Sequence, residues 1–222
     1  MAYTAPMPRR GPKSGEFEEP KQERTRQQLA RILSAADRLF AERGYEGTKI
    51  ADIAAAAPCS ISAIYDRFTG KEEILRHMHR GGAEEAITII GRMKPPEEAD
   101  ANLRDVVPVA VRVGLELIRR FRGRRRAAAE RVHADPELAT LEFEINESLI
   151  GAGKRFLLAY RQQFEHPDPA LASAQAMRLM MAMVEQRESV LPGMQRAELE
   201  DEPFIREVSR MVLGYLGVPQ TS

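Results

Sequence analysis

The sequence predicts an all-α chain in two parts, an N-terminal three-helix helix-turn-helix unit and a larger helical body. Three observations predict it. Apolar residues recur three and four positions apart along most of the chain, as they do on one face of a helix. No strict alternation of apolar and polar residues runs long enough to argue for a strand. Asp135-Pro136 and Asp168-Pro169 each put a capping oxygen before a proline, and Glu202-Pro203 opens the last helix; proline fits the first helical turn because its missing N–H has no partner there anyway.

Composition narrows the function. The 222 residues include 33 basic and 33 acidic side chains, so the chain is not a uniformly basic nucleic-acid coat. A single cysteine, Cys59, rules out an intramolecular disulfide framework and a multi-cysteine zinc finger. Hydrophobic residues make up 43% and charged residues 30%, which suits a globular protein. No apolar run reaches the roughly 18–20 residues that span a bilayer, and Met1 to Gly15 has no apolar signal-peptide core. A cytoplasmic protein without membrane contact is expected.

Residues 1–22 carry Pro6, Pro8, Pro12 and Pro20 with mixed charge, too little apolar surface to offset ordering, and are expected to be a flexible tail. Its Arg9, Arg10 and Lys13 are either a minor-groove arm or simply solvated. From Glu23, Leu29, Ile32, Leu33, Ala36, Leu39 and Phe40 fall at helical spacing. Gly44 follows where a left-handed cap residue belongs. Thr48 precedes a short helix over 49–54 as its N-cap, Pro58 breaks it, and Ser60 caps a second short helix to Arg67. Longer helices are expected from Lys71 to Met93, Asp100 to Phe121 with a kink at Pro108, Arg124 to His133, Asp135 to Phe164, Asp168 to Val190, and Glu202 to Gly217. Pro95-Pro96 and Pro192-Gly193 stop two of them. The domains follow as a 1–22 tail, a 23–70 head and a 71–222 body.

Two short helices after an amphipathic one make a helix-turn-helix pattern, and its residues sharpen it. The run from Arg31 to Tyr45, followed by Thr48, Ile50, Asp52-Ile53-Ala54, Ser60, Ile64-Tyr65, Phe68 and Lys71, resembles the tetracycline-repressor (TetR) family of regulators over about residues 24–75. In such a head the second helix enters the major groove, where base edges are distinguishable. Ser60 and Ser62 offer hydroxyls, Ile61 a contact for a thymine methyl, Ala63 a small exposed side chain, and Tyr65 a phenol for phosphate. Thr48 at a helix start and Lys71 at the next helix are placed for phosphates. The resemblance implies DNA contact at Thr48, Ser60, Ser62, Tyr65 and Lys71. Eight basic and five acidic residues lie between Arg24 and Lys71, a mild positive bias. The family's turn usually reads Gly-Val where this chain has Pro58-Cys59, and Asp66 adds a negative charge beside the face expected to meet DNA.

The resemblance implies that the body binds an effector and dimerises through its last two helices. Met177, Met180 and Val184, with Val208, Val212 and Tyr215, form the stripes expected at that interface; burial within one protomer is the other reading. Phe143 and Ile150, with Asn146 between them, mark one face of a pocket wall, and Met78, Phe121 and Met181 are further candidates for effector contact. Arg119, Arg120, Arg122, Arg124, Arg125 and Arg126 crowd eight positions as either a solvated helix end or an anion site. No catalytic motif is found, and His77 and His79, two apart on a helix, point in different directions and do not make a metal pair. Neither metal nor cofactor is expected. The reading is a ligand-responsive regulator, a repressor that binds palindromic double-stranded DNA as a homodimer and is released by a small, mainly apolar effector. The alternative is a ligand-binding or protein-interaction module with a weakened reading head.

Overall fold

The computed structural model describes residues 18–93, 102–188 and 200–219. The tail over 1–17, the Pro95-Pro96 stop and the Pro192-Gly193 loop lie outside the described residues. Every regular element described is helical: α1 (Glu18–Arg43), α2 (Ile50–Ala56), α3 (Ile61–Tyr65), α4 (Lys71–Arg92), α5 (Leu103–Arg120), α6 (Arg122–Arg131), α7 (Pro136–Leu158), a single 3-10 turn Arg161–Gln163, α8 (Pro169–Arg187) and α9 (Asp201–Leu216). No described helix is long and apolar enough to cross a membrane.

The caps explain most boundaries. Gly44 ends α1 with φ +74, in the left-handed region that costs glycine little. Ser60 Oγ accepts from Ala63 N at 3.1 Å and starts α3. Asp168 Oδ1 accepts from Ala170 N and Leu171 N and starts α8. Most ends fall within about three residues of expectation, and two differ by more. α1 begins at Glu18 rather than Glu23, and α7 stops at Leu158, where the backbone tightens into the 3-10 turn instead of running to Phe164.

Asp135 makes the strongest cap. Its Oδ1 accepts from Leu138 N at 3.0 Å and its Oδ2 lies 2.7 Å from Arg76 Nη1 on α4. Burial alone would raise the Asp135 carboxyl, but the Leu138 N–H and Arg76 outweigh it and hold the group below the usual range. A depressed folded pKa stabilises above the unfolded value of about 3.9 and loses that contribution as pH falls through the folded value. Asp135→Ala is therefore expected to cost about 2 kcal/mol in a urea titration at pH 7, a lost cap plus a cation stripped of one partner. The difference from wild type should shrink as the pH drops below about 4.

Two apolar clusters run through the molecule. One joins α1–α4 to α6 and the start of α7, with Phe40, Tyr45, Ile53, Ile64 and Ile74 packed beside Ala127, Ala128, Leu138 and Leu141. The head therefore shares its core with α6 and α7. The other joins α5, the end of α7, α8 and α9 around Leu103, Val111, Leu157, Val184, Val208 and Val212. Arg119 and Arg187 lock the far corner of this second cluster. Both bond Asp201 at the start of α9, and these two bonds hold its carboxyl well below the usual range.

Candidate nucleic-acid interface and internal cavity

α3 is a single turn and a half, so only its outer face is available for contact. Ser60, Ile61, Ser62 and Tyr65 are exposed there, Ile61 at 46% and Tyr65 at 55%. Ala63 is half-buried behind them, and Ile64 points into the core. An isoleucine and a tyrosine side by side in water on a helix this short have no intramolecular reason to be there. The α2–α3 turn puts Pro58 at φ +23. Cys59 behind it is half-buried against the head core.

Two expected contacts are corrected. Thr48 is not the α2 cap. Lys49 takes that position, with its N–H donating to Asp52 Oδ2 at 3.0 Å. Thr48 is 0% exposed, and its hydroxyl donates to Gly44 O at 2.8 Å, so its side chain sets the loop rather than meeting a phosphate. Lys71 is also turned inward. Its Nζ donates to Tyr45 O at 2.6 Å and Thr48 O at 2.8 Å and sits 4.0 Å over the Tyr45 ring. These two residues clamp the α1–α2 loop.

Behind the head lies a cavity of about 420 Å³ among α4, α5, α6, α7 and α8. Three effector candidates line it, Phe121, Asn146 and Met181. Three others do not. Met78 is buried in the head core, Phe143 is 68% exposed on the outside of α7, and Ile150 is half-buried off the lining. The seven-residue repeat of Phe143 and Ile150 marks a face, but α7 turns that face toward the outside and presents Ile145, Asn146, Leu149 and Phe156 to the cavity instead. Met177 and Met180, expected at a dimer interface, line the cavity as well.

The polar lining was missed from sequence. His79 on α4 is 8% exposed; its Nδ1 lies 3.0 Å from Glu142 Oε1 on α7 and its Nε2 2.9 Å from the Arg124 carbonyl on α6. Burial pushes the Glu142 carboxyl upward, but the His79 bond and the charges of His79 and Arg125 prevail and keep it below the usual range. Arg125 reaches Glu185 on α8 at 3.4 Å. Arg124 stacks on Phe121 and donates to Met78 O at 2.8 Å. No spacing rule in the sequence brings these four helices together. Among the described residues, no group of three or more His, Cys, Asp or Glu is placed to hold a metal ion.

α6 joins the cavity to the head. One side of it lines the cavity through Arg124, Arg125, Ala128, Ala129 and Val132. The other side packs on α1 so closely that a Cβ on Gly123 would come within 1.9 Å of Asp37 O. Polar bonds fasten the contact along its length: Arg124 N to Asp37 Oδ1 at 2.9 Å, Arg126 Nη1 to Ala41 O at 2.8 Å, and Tyr45 N to Glu130 Oε2 at 2.6 Å. The arginine cluster of the sequence is thus mostly spoken for, with Arg119 and Arg120 also paired to acids on neighbouring helices.

The remaining interface candidates are also corrected. Met177, Val184, Val208 and Val212 are buried in the protomer, packed within its own core or against the cavity. Tyr215 stays partly exposed. The apolar side chains that α8 and α9 leave in water are Leu171 and Leu179, eight residues apart, and Met211 and Tyr215, four apart.

Residues 32–78 match the family model of bacterial regulatory proteins of the tetR family. The comparison with curated proteins finds no match. Among solved structures, a putative TetR-family transcriptional regulator from Mesorhizobium loti superposes with a TM-score of 0.71 at 18% identity, over 87% of this chain and 96% of that one. GusR of Salmonella enterica gives 0.67 at 20% identity, over 91% and 99%. A putative transcriptional regulator from Saccharomonospora viridis in complex with choline gives 0.67 at 19% identity, over 90% and 100%.

Proposed function

We propose, from the premise that this chain belongs to the TetR family of bacterial regulatory proteins, that it is a repressor whose paired heads grip a palindromic operator and let go when the cavity fills. The chain is a regulator and not an enzyme, and it acts in the cytoplasm, where its DNA is. The observation that carries the reading is the pairing of an exposed Ser60–Tyr65 face with a helix, α6, that touches both the head and the cavity.

The physical sequence is short. Ser60, Ser62 and Ile61 meet base edges and Tyr65 a phosphate, with Thr48 and Lys71 holding the loop behind them. One short helix touches few bases, so a second copy is needed, and the face with Leu171, Leu179, Met211 and Tyr215 is offered to it. A small molecule in the cavity pushes on Ala128, Ala129 and Val132, and α6 has no slack at Gly123 to absorb the movement. Interdigitated helices shift as units. The ligand therefore favours a dimer with its heads spaced wrongly for successive major grooves, a coupling typically of about 1–3 kcal/mol. The choline held by the Saccharomonospora structure supports a small-molecule occupant for the cavity here.

Selection from a random pool of DNA tests this reading. The wild-type chain is expected to enrich one two-fold symmetric site, with binding that falls steeply as salt rises. Tyr65→Ala, at an exposed position, should fold normally and lose at least tenfold in affinity for that site. If the wild type enriches nothing, with or without a cell extract supplying small molecules, the weakened-head alternative takes its place.

A further inference from the structure

The charged groups of the cavity are gathered at one end of it. His79, Glu142, Arg125 and Glu185 are linked through the contacts given above, and Arg124 adjoins them on α6. The opposite end is apolar. Eleven residues along α4 from His79 stands Ile90, roughly 16 Å away by helical rise; on the same lining Phe156 lies fourteen residues along α7 from Glu142 and Met177 eight residues along α8 from Glu185. The space is therefore amphipathic along its length, with the polar end against α6.

The basic groups of that end are not equally free. His79 has both ring nitrogens engaged, one 3.0 Å from Glu142 Oε1 and the other 2.9 Å from the Arg124 carbonyl. Arg124 is committed to Met78 O, Asp37 and the Phe121 ring. Arg125 has five N–H donors and, among the described residues, one bond at 3.4 Å. Its side chain remains about a third exposed, at 35%.

We infer that the effector is an amphipathic organic anion, a carboxylate on an apolar chain, whose head is taken by Arg125 and whose tail runs toward Ile90 and Phe156. This rests on the reading of the cavity as the effector site and names its ligand class. A carboxylate accepts two parallel bonds from a guanidinium, a stronger and better directed pair than the 3.4 Å contact with Glu185 that it replaces. Because Arg125 belongs to α6, the head of the ligand pulls on the same helix that is pinned to α1.

Calorimetric titration of the full chain with three ten-carbon probes, each below its micelle concentration, tests the head selectivity. The probes are decanoate, 1-decanol and decyltrimethylammonium. Decanoate is expected to bind at least tenfold tighter than decanol, and decyltrimethylammonium no tighter than decanol. Arg125→Gln should lose that tenfold for decanoate while leaving decanol unchanged. Equal binding of decanoate and decanol, or a preference for the ammonium, overturns the anion and leaves the cavity as an apolar effector site. Binding of none of the three overturns both. The comparison of probes on the wild-type chain stands even if the variant does not fold.

Discussion

Gly123→Val is expected to cost about 3 kcal/mol of stability and to disconnect the head from the cavity. The helices α1 and α6 cross at Gly123 with backbone against side-chain position. A Cβ there would lie 1.9 Å from Asp37 O and 2.8 Å from the Asp37 carbonyl carbon, so main chain, and not a pliable side chain, has to move. Overpacking of this kind typically costs 1–3 kcal/mol, and valine adds two methyls and a poor helix propensity. For a chain of this size the loss lowers the melting temperature by about 6–12 °C. The displaced α1 carries the head with it, so operator affinity should fall at least tenfold while binding in the cavity persists. Gly81→Ala serves as the control. Nothing lies within 4 Å of its Cβ, and on an exposed helical face alanine should raise stability by up to about 1 kcal/mol. An unchanged melting temperature for Gly123→Val would mean that the α1–α6 contact is not tight.

The second large effect is expected at the α8–α9 surface. Leu179 and Met211 are 47% and 48% exposed, so replacing both with glutamate removes little from the protomer core. Opposite a second copy of the same face, each glutamate would be desolvated beside like charge. The double variant should therefore elute and scatter light as a folded monomer. Linking two heads raises affinity by about 100- to 10,000-fold over one, so the monomer should lose at least about 100-fold on the operator while the heat of unfolding per protomer stays close to wild type. A variant that remains dimeric would move the interface to another face, and the exposed Phe143 of α7 would be the place to look next.

Much of this architecture is legible in the chain itself. Ser60, Asp135 and Asp168 cap their helices as their side chains dictate, Gly44 takes the left-handed position, and the head motif fixes which face of α3 is outward. The misses have one physical source, which is that a helix face does not name its partner. Met177 and Val184 lie on one side of α8 and Leu171 and Leu179 on another, and both sides are apolar. Which side meets the core is decided by what surrounds the helix: a sulfur of Met177 rests where only a glycine, Gly153 of α7, leaves room. Thr48 and Lys71 have the right residue types at the right positions for phosphate, yet the loop between α1 and α2 uses both. The His79–Glu142 pair spans 63 positions, and no local pattern announces it.

In the proposed complex two copies present the Ser60–Tyr65 face to successive major grooves. Hydroxyl-radical footprinting on the selected site, with the protein-to-DNA ratio measured in the same samples, tests it most directly. Two protected patches on one side of the duplex, centred about 34 Å or a multiple of that apart and saturating at a multiple of two chains per site, are the predicted result. A single protected patch saturating at one chain, or protection that ignores sequence, would contradict it.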